Sequence, residues 1–261
     1  MRIVIKVGTS TIAHATGMMN IRHIEEMCKV MSDLKNAGHE VIVVSSGAIG
    51  MGVGKLALGK RPCDMPTKQA AAAVGQVELM FTYDKLFGEH NHTVAQILIT
   101  GPDMQDAGRY RNFLNTISRL LELGALPIIN ENDTVSTEEI GIGENDTLGA
   151  IVCVGVHADL YIILSDIDGL YTADPHVDPD AKLIPVVERI TPEVMARAGG
   201  TGSALGTGGM ATKLKAAMLT TQAGCDMVIV NGAHPQLLYD VVAGEPVGTR
   251  FIGRRGEHDD P

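Results

Sequence analysis

The stretch Gly206-Thr207-Gly208-Gly209-Met210-Ala211-Thr212-Lys213 places three glycines, two threonines and a lysine directly ahead of an amphipathic run. Within it and the run, Met210, Leu214, Ala217, Met218 and Thr221 recur at helical spacing, and Gly224 follows as a stop signal. A glycine-rich turn that opens a helix offers free backbone N–H groups and the positive end of the helix dipole, a setting suited to phosphate. Lys213, in the same turn, adds a full positive charge. The order is not that of a Walker loop, which needs Gly-Lys-Ser/Thr after four spacer residues. The letters also fit G-x-G-x-x-A loosely, but no strand is predicted to lead into them. A plain flexible linker is the competing reading.

Other loops hold a matching inventory: Lys6; Ser45 and Ser46; Asn130 and Asp133; Asn145 and Asp146; Asp166 and Asp168. There is no Ser-His-Asp ordering, and no thiol is set in a polar loop as a nucleophile. Two lysines, glycine-rich backbone and several carboxylates suit phosphoryl transfer, in which a protein mainly positions charge. From these residues alone the chain reads as a nucleotide-dependent transferase.

The elements that must position these groups alternate along the chain. Short apolar runs at 2–7, 41–44, 93–98, 126–129, 160–164, 227–230 and 249–252 predict strands. Helical stripes fall at 21–38, 67–87, 114–124, 147–154, 210–224 and 235–242, and Thr191-Pro192 marks one more helix start. This order predicts an α/β fold, with an open, mostly parallel sheet between helical layers. In such sheets ligands gather at the carboxyl ends of the strands, where Lys6 and the Ser45-Ser46 turn fall. Residues 100–111 read as a polar loop, 55–66 as an exposed loop and 135–140 as a hairpin arm. Gly52-Val53-Gly54-Lys55-Leu56-Ala57 matches G-x-G-x-x-A by letters but stands off its strand, and is taken as chance or loop flexibility. No linker divides residues 1–252, and 253–261 form a polar tail.

The bulk numbers narrow the partners. With 261 residues the chain has room for one large domain. A net charge of −10 argues against a phosphate-backbone partner, so nucleic acid is not expected. Four cysteines without C-x-x-C spacing read as free thiols, with Cys28 and Cys153 in apolar patterns. His90 and His92 lack metal-ligand spacing, and no protein metal site is predicted. The start has no signal-peptide run and no segment reaches membrane-span length, so a cytoplasmic protein is expected.

Lys6-Val7-Gly8-Thr9-Ser10, Val44-Ser45-Ser46-Gly47-Ala48-Ile49, Ser165-Asp166-Ile167-Asp168-Gly169-Leu170-Tyr171-Thr172-Ala173-Asp174-Pro175 and Gly206 to Lys213 resemble the amino acid kinase family. The motif around Asp166 and Asp168 is shared widely there and does not fix the substrate. More specific are Ile129-Asn130-Glu131-Asn132-Asp133-Thr134-Val135 and Gly143-Glu144-Asn145-Asp146, which resemble the branch that phosphorylates L-glutamate at the head of proline biosynthesis. The resemblance runs from Met1 to about Ile252. It implies a three-layer αβα sandwich, the amino acid kinase fold, with an amino-acid-binding lobe to about residue 150 and a nucleotide-binding lobe beyond. Many members of that branch carry a further C-terminal domain of the PUA type, and ending at Pro261 implies a short form without it.

The resemblance also implies roles. Lys6 and Lys213 would stabilise the transferring phosphoryl group, and Asp146 would hold both ammonium groups. Ser46, Asp133 and Asn145 match the glutamate-binding positions, with Asp133 facing the α-ammonium group and Ser46 and Asn145 able to donate to carboxylates. Lys6, Ser165, Asp166 and Thr207, Gly208, Gly209, Met210, Ala211, Thr212 and Lys213 match the ATP-binding positions, whereas Asp168 is read as holding its own turn. ATP with Mg²⁺ is the implied co-substrate, proline the implied feedback inhibitor, and a homo-oligomer (dimer or tetramer) the implied assembly, with residues 52–66 as a candidate inhibitory loop. Competing readings are a relative acting on aspartate, N-acetylglutamate or a nucleoside monophosphate, a non-catalytic binder on this fold, and a dinucleotide-dependent oxidoreductase.

Overall fold

The computed structural model describes residues 1–14, 18–135, 145–175, 177–196 and 209–254. Eight strands lie among them: β1 Arg2–Val7, β2 Glu40–Ser45, β3 Val94–Ile99, β4 Leu126–Glu131, β5 Leu160–Ser165, β6 Val186–Val187, β7 Asp226–Asn231 and β8 Thr249–Phe251. The helices are α1 Thr9–Ile12, α2 Ile21–Asn36, α3 Ala48–Lys55, α4 Met65–Gly88, α5 Gly101–Gln105, α6 Ala107–Glu122, α7 Asn145–Gly155, α8 Pro192–Ala196, α9 Met210–Gln222 and α10 Leu237–Ala243. One sheet runs in the order β3-β4-β2-β1-β5-β7-β8-β6. All neighbours are parallel except β7 and β8, so the sheet is open and mostly parallel, as expected.

Side chains alternate across a strand, so each strand feeds two cores. Ile3, Ile5 and Val7 of β1 pack with Ile24, Met27 and Met31 of α2 and with Leu79, Tyr83 and Phe87 of α4. Val4, between them, points to the other face, with Leu148 and Val152 of α7 and Leu214 and Ala217 of α9. Both faces are apolar because both are covered, which is why the strands read as continuous hydrophobic runs. The parity has one consequence for chemistry: Lys6 shares the Val4 face and leaves the strand beneath α7 and α9.

Two expectations need correction. Residues 100–111 form α5 and the start of α6 rather than a loop. Thr100 and Asp103 make a capping box, and Asp106 caps α6 by accepting from the Arg109 backbone N–H, so the polar residues there are helix starts. The glycines at 52 and 54 are helical, in α3, and residues 56–64 alone connect α3 to α4. Gly52 and Gly75 let α3 and α4 touch backbone to backbone: a Cβ on Gly75 would lie 1.7 Å from the Ala48 carbonyl oxygen. The hairpin arm expected at 135–140 falls, beyond Val135, outside the described residues.

Candidate active site

Three charged side chains meet under the carboxyl end of β1. Lys6 Nζ lies 2.7 Å from Asp146 Oδ1, and Lys213 Nζ lies 3.1 Å from Asp146 Oδ2. Asp146 sits in the first turn of α7, where the helix dipole favours a carboxylate. Lys213 belongs to the first turn of α9. Asp146 is fully buried, and only 8% of Lys6 and 4% of Lys213 is exposed. Burial pushes the Asp146 carboxyl up, but the two ammonium groups outweigh it and hold the pKa below the ordinary aspartate value. One carboxylate thus pins two cations side by side and leaves the cluster one charge positive, ready for an anion. The Tyr161 hydroxyl, on β5, donates to the Asp146 backbone carbonyl at 2.9 Å and fixes the start of α7.

On the β2–β4 side the groups are polar and mostly neutral. Asn145 Nδ2 donates to the Ser45 carbonyl at 2.8 Å, to Ser46 Oγ at 2.8 Å and to Asn130 Oδ1 at 3.1 Å. Ser46 therefore accepts from Asn145 and keeps its own hydroxyl hydrogen to donate. Ser45 turns to the opposite core and bonds the Tyr83 hydroxyl at 2.9 Å. Asp133 follows β4, and its carboxyl is pushed up to about 6, first by burial and then by the neighbouring Glu131, against the pull of Arg61.

On the other side, Ser165 closes β5, is buried, and donates to Asp166 Oδ1 at 3.3 Å. Gly209 is the N-cap of α9, followed by Met210, Ala211, Thr212 and Lys213. Thr212 Oγ1 donates to the Gly209 carbonyl at 2.8 Å and lies 3.4 Å from Asp146 Oδ2. Thr207 and Gly208 lie outside the described residues.

The profile of the amino acid kinase family matches residues 1–231. A glutamate 5-kinase of Clostridium tetani is 54% identical over 95% of this chain and 93% of its own length. One from Clostridium perfringens is 50% identical over 98% and 97%. The chain belongs to the amino acid kinase family, among its glutamate 5-kinases. Solved structures of carbamate kinase from Giardia lamblia bound to AMP-PNP (TM-score 0.69, 18% identity, covering 97% of this chain and 98% of that one) and of isopentenyl phosphate kinase from T. acidophilum (0.68, 19%, 96% and 100%) share the fold.

In this amino acid kinase the sheet gathers Lys6, Ser46, Asp133, Asn145, Asp146, Ser165, Asp166 and Lys213 at its carboxyl edge, although they are scattered over more than two hundred residues. Asp168 holds structure: it accepts from Asn231 Nδ2 and from the Tyr171 hydroxyl, each at 2.8 Å, and these bonds lower its pKa. Sequence reasoning missed Tyr161 and Gln76. Tyr161 stood inside an apolar run and read as core. Gln76, whose Oε1 accepts from Asn130 Nδ2 at 3.0 Å, stood inside an alanine-rich helix, where a lone glutamine signals nothing.

Proposed function

We infer that this chain transfers the γ-phosphoryl group of ATP to the γ-carboxylate of L-glutamate, giving ADP and L-glutamyl 5-phosphate, the first step of proline biosynthesis. The observation that carries it is the buried Lys6–Asp146–Lys213 cluster, set between an end suited to an amino acid and an end suited to a nucleotide. Relatives at half identity or better carry the name glutamate 5-kinase.

A carboxylate is already ionised at neutral pH, so the acceptor needs no general base. The obstacle is bringing two anions together. Lys6 would neutralise charge on the transferring group from the β1 side and Lys213 from the α9 side, while Asp146 keeps the two ammonium groups from drifting apart. Asp133 would pair with the α-ammonium group, which N-acetylglutamate lacks as a cation, and Ser46 would donate to a carboxylate. Asn145 completes the same pocket. The backbone of residues 207–213 would cradle the phosphates, with Ser165 and Asp166 at the nucleotide. On this reading the lobe up to about residue 150 holds glutamate and the remainder holds ATP.

Both Asp146 oxygens are taken by lysines, so Mg²⁺ would arrive on the triphosphate, held by nucleotide oxygens and water, and would neutralise phosphate charge there. A cytoplasmic location fits the free thiols, and no described helix is long and apolar enough to cross a membrane. Val77 and Phe81, one turn apart on α4, are 70% and 66% exposed and offer an apolar surface for a dimer or tetramer. Feedback by proline belongs to the same reading, with residues 52–66, next to the Arg61 side of Asp133, as its place.

The test is ADP release with ATP and a panel of L-glutamate, aspartate, N-acetylglutamate and UMP, with hydroxylamine trapping of the acyl phosphate. Preference for UMP or N-acetylglutamate would sink the substrate assignment and leave only the family.

A further inference from the structure

Four side-chain amides form one hydrogen-bonded line from the sheet edge to the amino-acid end of the site. Gln76 Nε2 donates to Gln96 Oε1 at 3.0 Å, Asn130 Nδ2 to Gln76 Oε1 at 3.0 Å, and Asn145 Nδ2 to Asn130 Oδ1 at 3.1 Å. Gln76 and Asn130 are buried, at 8% and 2% exposure.

The direction of this line is determined by backbone groups whose roles are fixed. The Glu131 N–H can only donate, and it donates to Asn130 Oδ1 at 2.9 Å. The Ser45 carbonyl can only accept, and it accepts from Asn145 Nδ2 at 2.8 Å. Asn130 therefore turns its carbonyl to Asn145 and its NH₂ to Gln76, and Gln76 must present Oε1. Reversing any amide in the line would set donor against donor or acceptor against acceptor.

The far end of the line is an orphan. Asn145 Oδ1 is buried and has no hydrogen-bond partner among the described residues. A buried carbonyl oxygen without a donor is costly. Against the expectation that Asn145 donates to a substrate carboxylate, its amide hydrogens are spent within the protein, so this residue has an acceptor left to offer. On an amino acid with two carboxylates, the one group that can donate to it at neutral pH is the α-ammonium.

We propose that Gln76 is a positioning residue for the amino-acid substrate: through Asn130 it holds the Asn145 amide with its carbonyl oxygen toward the substrate α-ammonium group. Gln76 touches no substrate itself. Without its acceptor, the Asn130 NH₂ is left buried and unpaired, and Asn130 shifts from its place to recover a partner. Asn145 then loses the Asn130 Oδ1 that braces its amide, and its carbonyl oxygen is no longer held toward the ammonium group.

This inference rests on the glutamate reading above, and the test separates the two. Gln76→Met keeps most of the volume and removes the acceptor, while Gln76→Glu keeps an oxygen for Asn130 Nδ2. KM and kcat for L-glutamate and ATP are measured by ADP release, together with inhibition by glutarate, the same dicarboxylate without the ammonium group. Gln76→Met is expected to raise the glutamate KM about tenfold, the scale of one lost hydrogen bond to a charged group. The ATP KM and the glutarate inhibition constant stay put, and Gln76→Glu recovers most of the loss. A Gln76→Met enzyme with unchanged glutamate KM, or one that loses glutarate as strongly as glutamate, overturns the positioning role. If Gln76→Met does not fold in a thermal melt, Gln76→Leu, which also lacks the acceptor, takes its place. Failure of the parent enzyme to phosphorylate L-glutamate instead sinks the functional reading.

Discussion

The Tyr161 hydroxyl occupies the space where a side chain on residue 149 would begin: a Cβ on Gly149 would stand 2.2 Å from Tyr161 Oη. The same hydroxyl donates to the Asp146 carbonyl, so α7 lies flat on β5 only because residue 149 is a glycine. Gly149→Ala must push aside a fully buried ring, which typically costs about 1–3 kcal/mol. A lower melting temperature and a drop in turnover are expected together, since Asp146 sits one turn away. Tyr161→Phe keeps the ring and loses one bond, worth about 1 kcal/mol. A Gly149→Ala protein that melts with the parent would refute this contact.

Lys6→Ala and Lys213→Ala should each lower turnover by roughly 10²–10³, the usual effect of removing one charge stabiliser from a transition state. Both proteins should stay folded, because the remaining lysine still pairs with Asp146. Steady-state rates near those of the parent, in either variant, would remove the two-lysine mechanism.

Asp146→Asn is the harsher change. It leaves two buried ammonium groups without a counter-charge, and breaking buried pairs in this way costs about 3–5 kcal/mol. In the parent, the depressed pKa of Asp146 means that its stabilisation is present above the ordinary aspartate value of 3.8 and is lost as pH falls through the lower folded value. Urea unfolding across an acid pH series should show that loss in the parent and not in the variant. An identical acid profile in both would argue against the charge network.

Asp133 titrates the other way. Its folded pKa is raised to about 6, so the group contributes stability below the unfolded value and loses it as pH rises through about 6. Binding has the opposite sense, since a substrate ammonium group pairs with the carboxylate and not the acid. The glutamate KM should rise as pH falls below about 6, while the ATP KM stays level. In Asp133→Asn that step disappears, and the glutamate KM is high throughout. Equal effects on both substrates would make Asp133 structural.

Much of the sheet was legible because both its faces are covered: strands such as Ile3 to Val7 and Val41 to Val44 carry no polar alternation to confuse with a helix face. Val186–Val187 was not, since two residues have no period. The helix starts at Thr100 and Asp106 were misread because capping residues and loop residues are the same types, and only the partner N–H groups distinguish them. At the site, Lys6 stood out as a lysine at the end of an apolar strand. Its pairing with Asp146 came from family resemblance, because no local spacing reports a contact between residues 140 positions apart. Gln76 was invisible for a different reason. Its meaning lies in which atom of Asn130 faces it, and that is set by a backbone N–H on another element.

The central place of β1 also has a bearing on when the enzyme can first work. The strand made earliest is flanked by β2 on one side and β5 on the other, so it must wait for residue 160 before its second neighbour exists. Lys6 waits for Asp146, and the pair waits for Lys213. At synthesis rates of about 5–20 residues per second, the roughly two hundred residues between the two lysines separate their appearance by about 10–40 s. A nascent chain stalled in that interval lacks Lys213, and before residue 146 it lacks Asp146 as well, so the charge cluster is incomplete throughout.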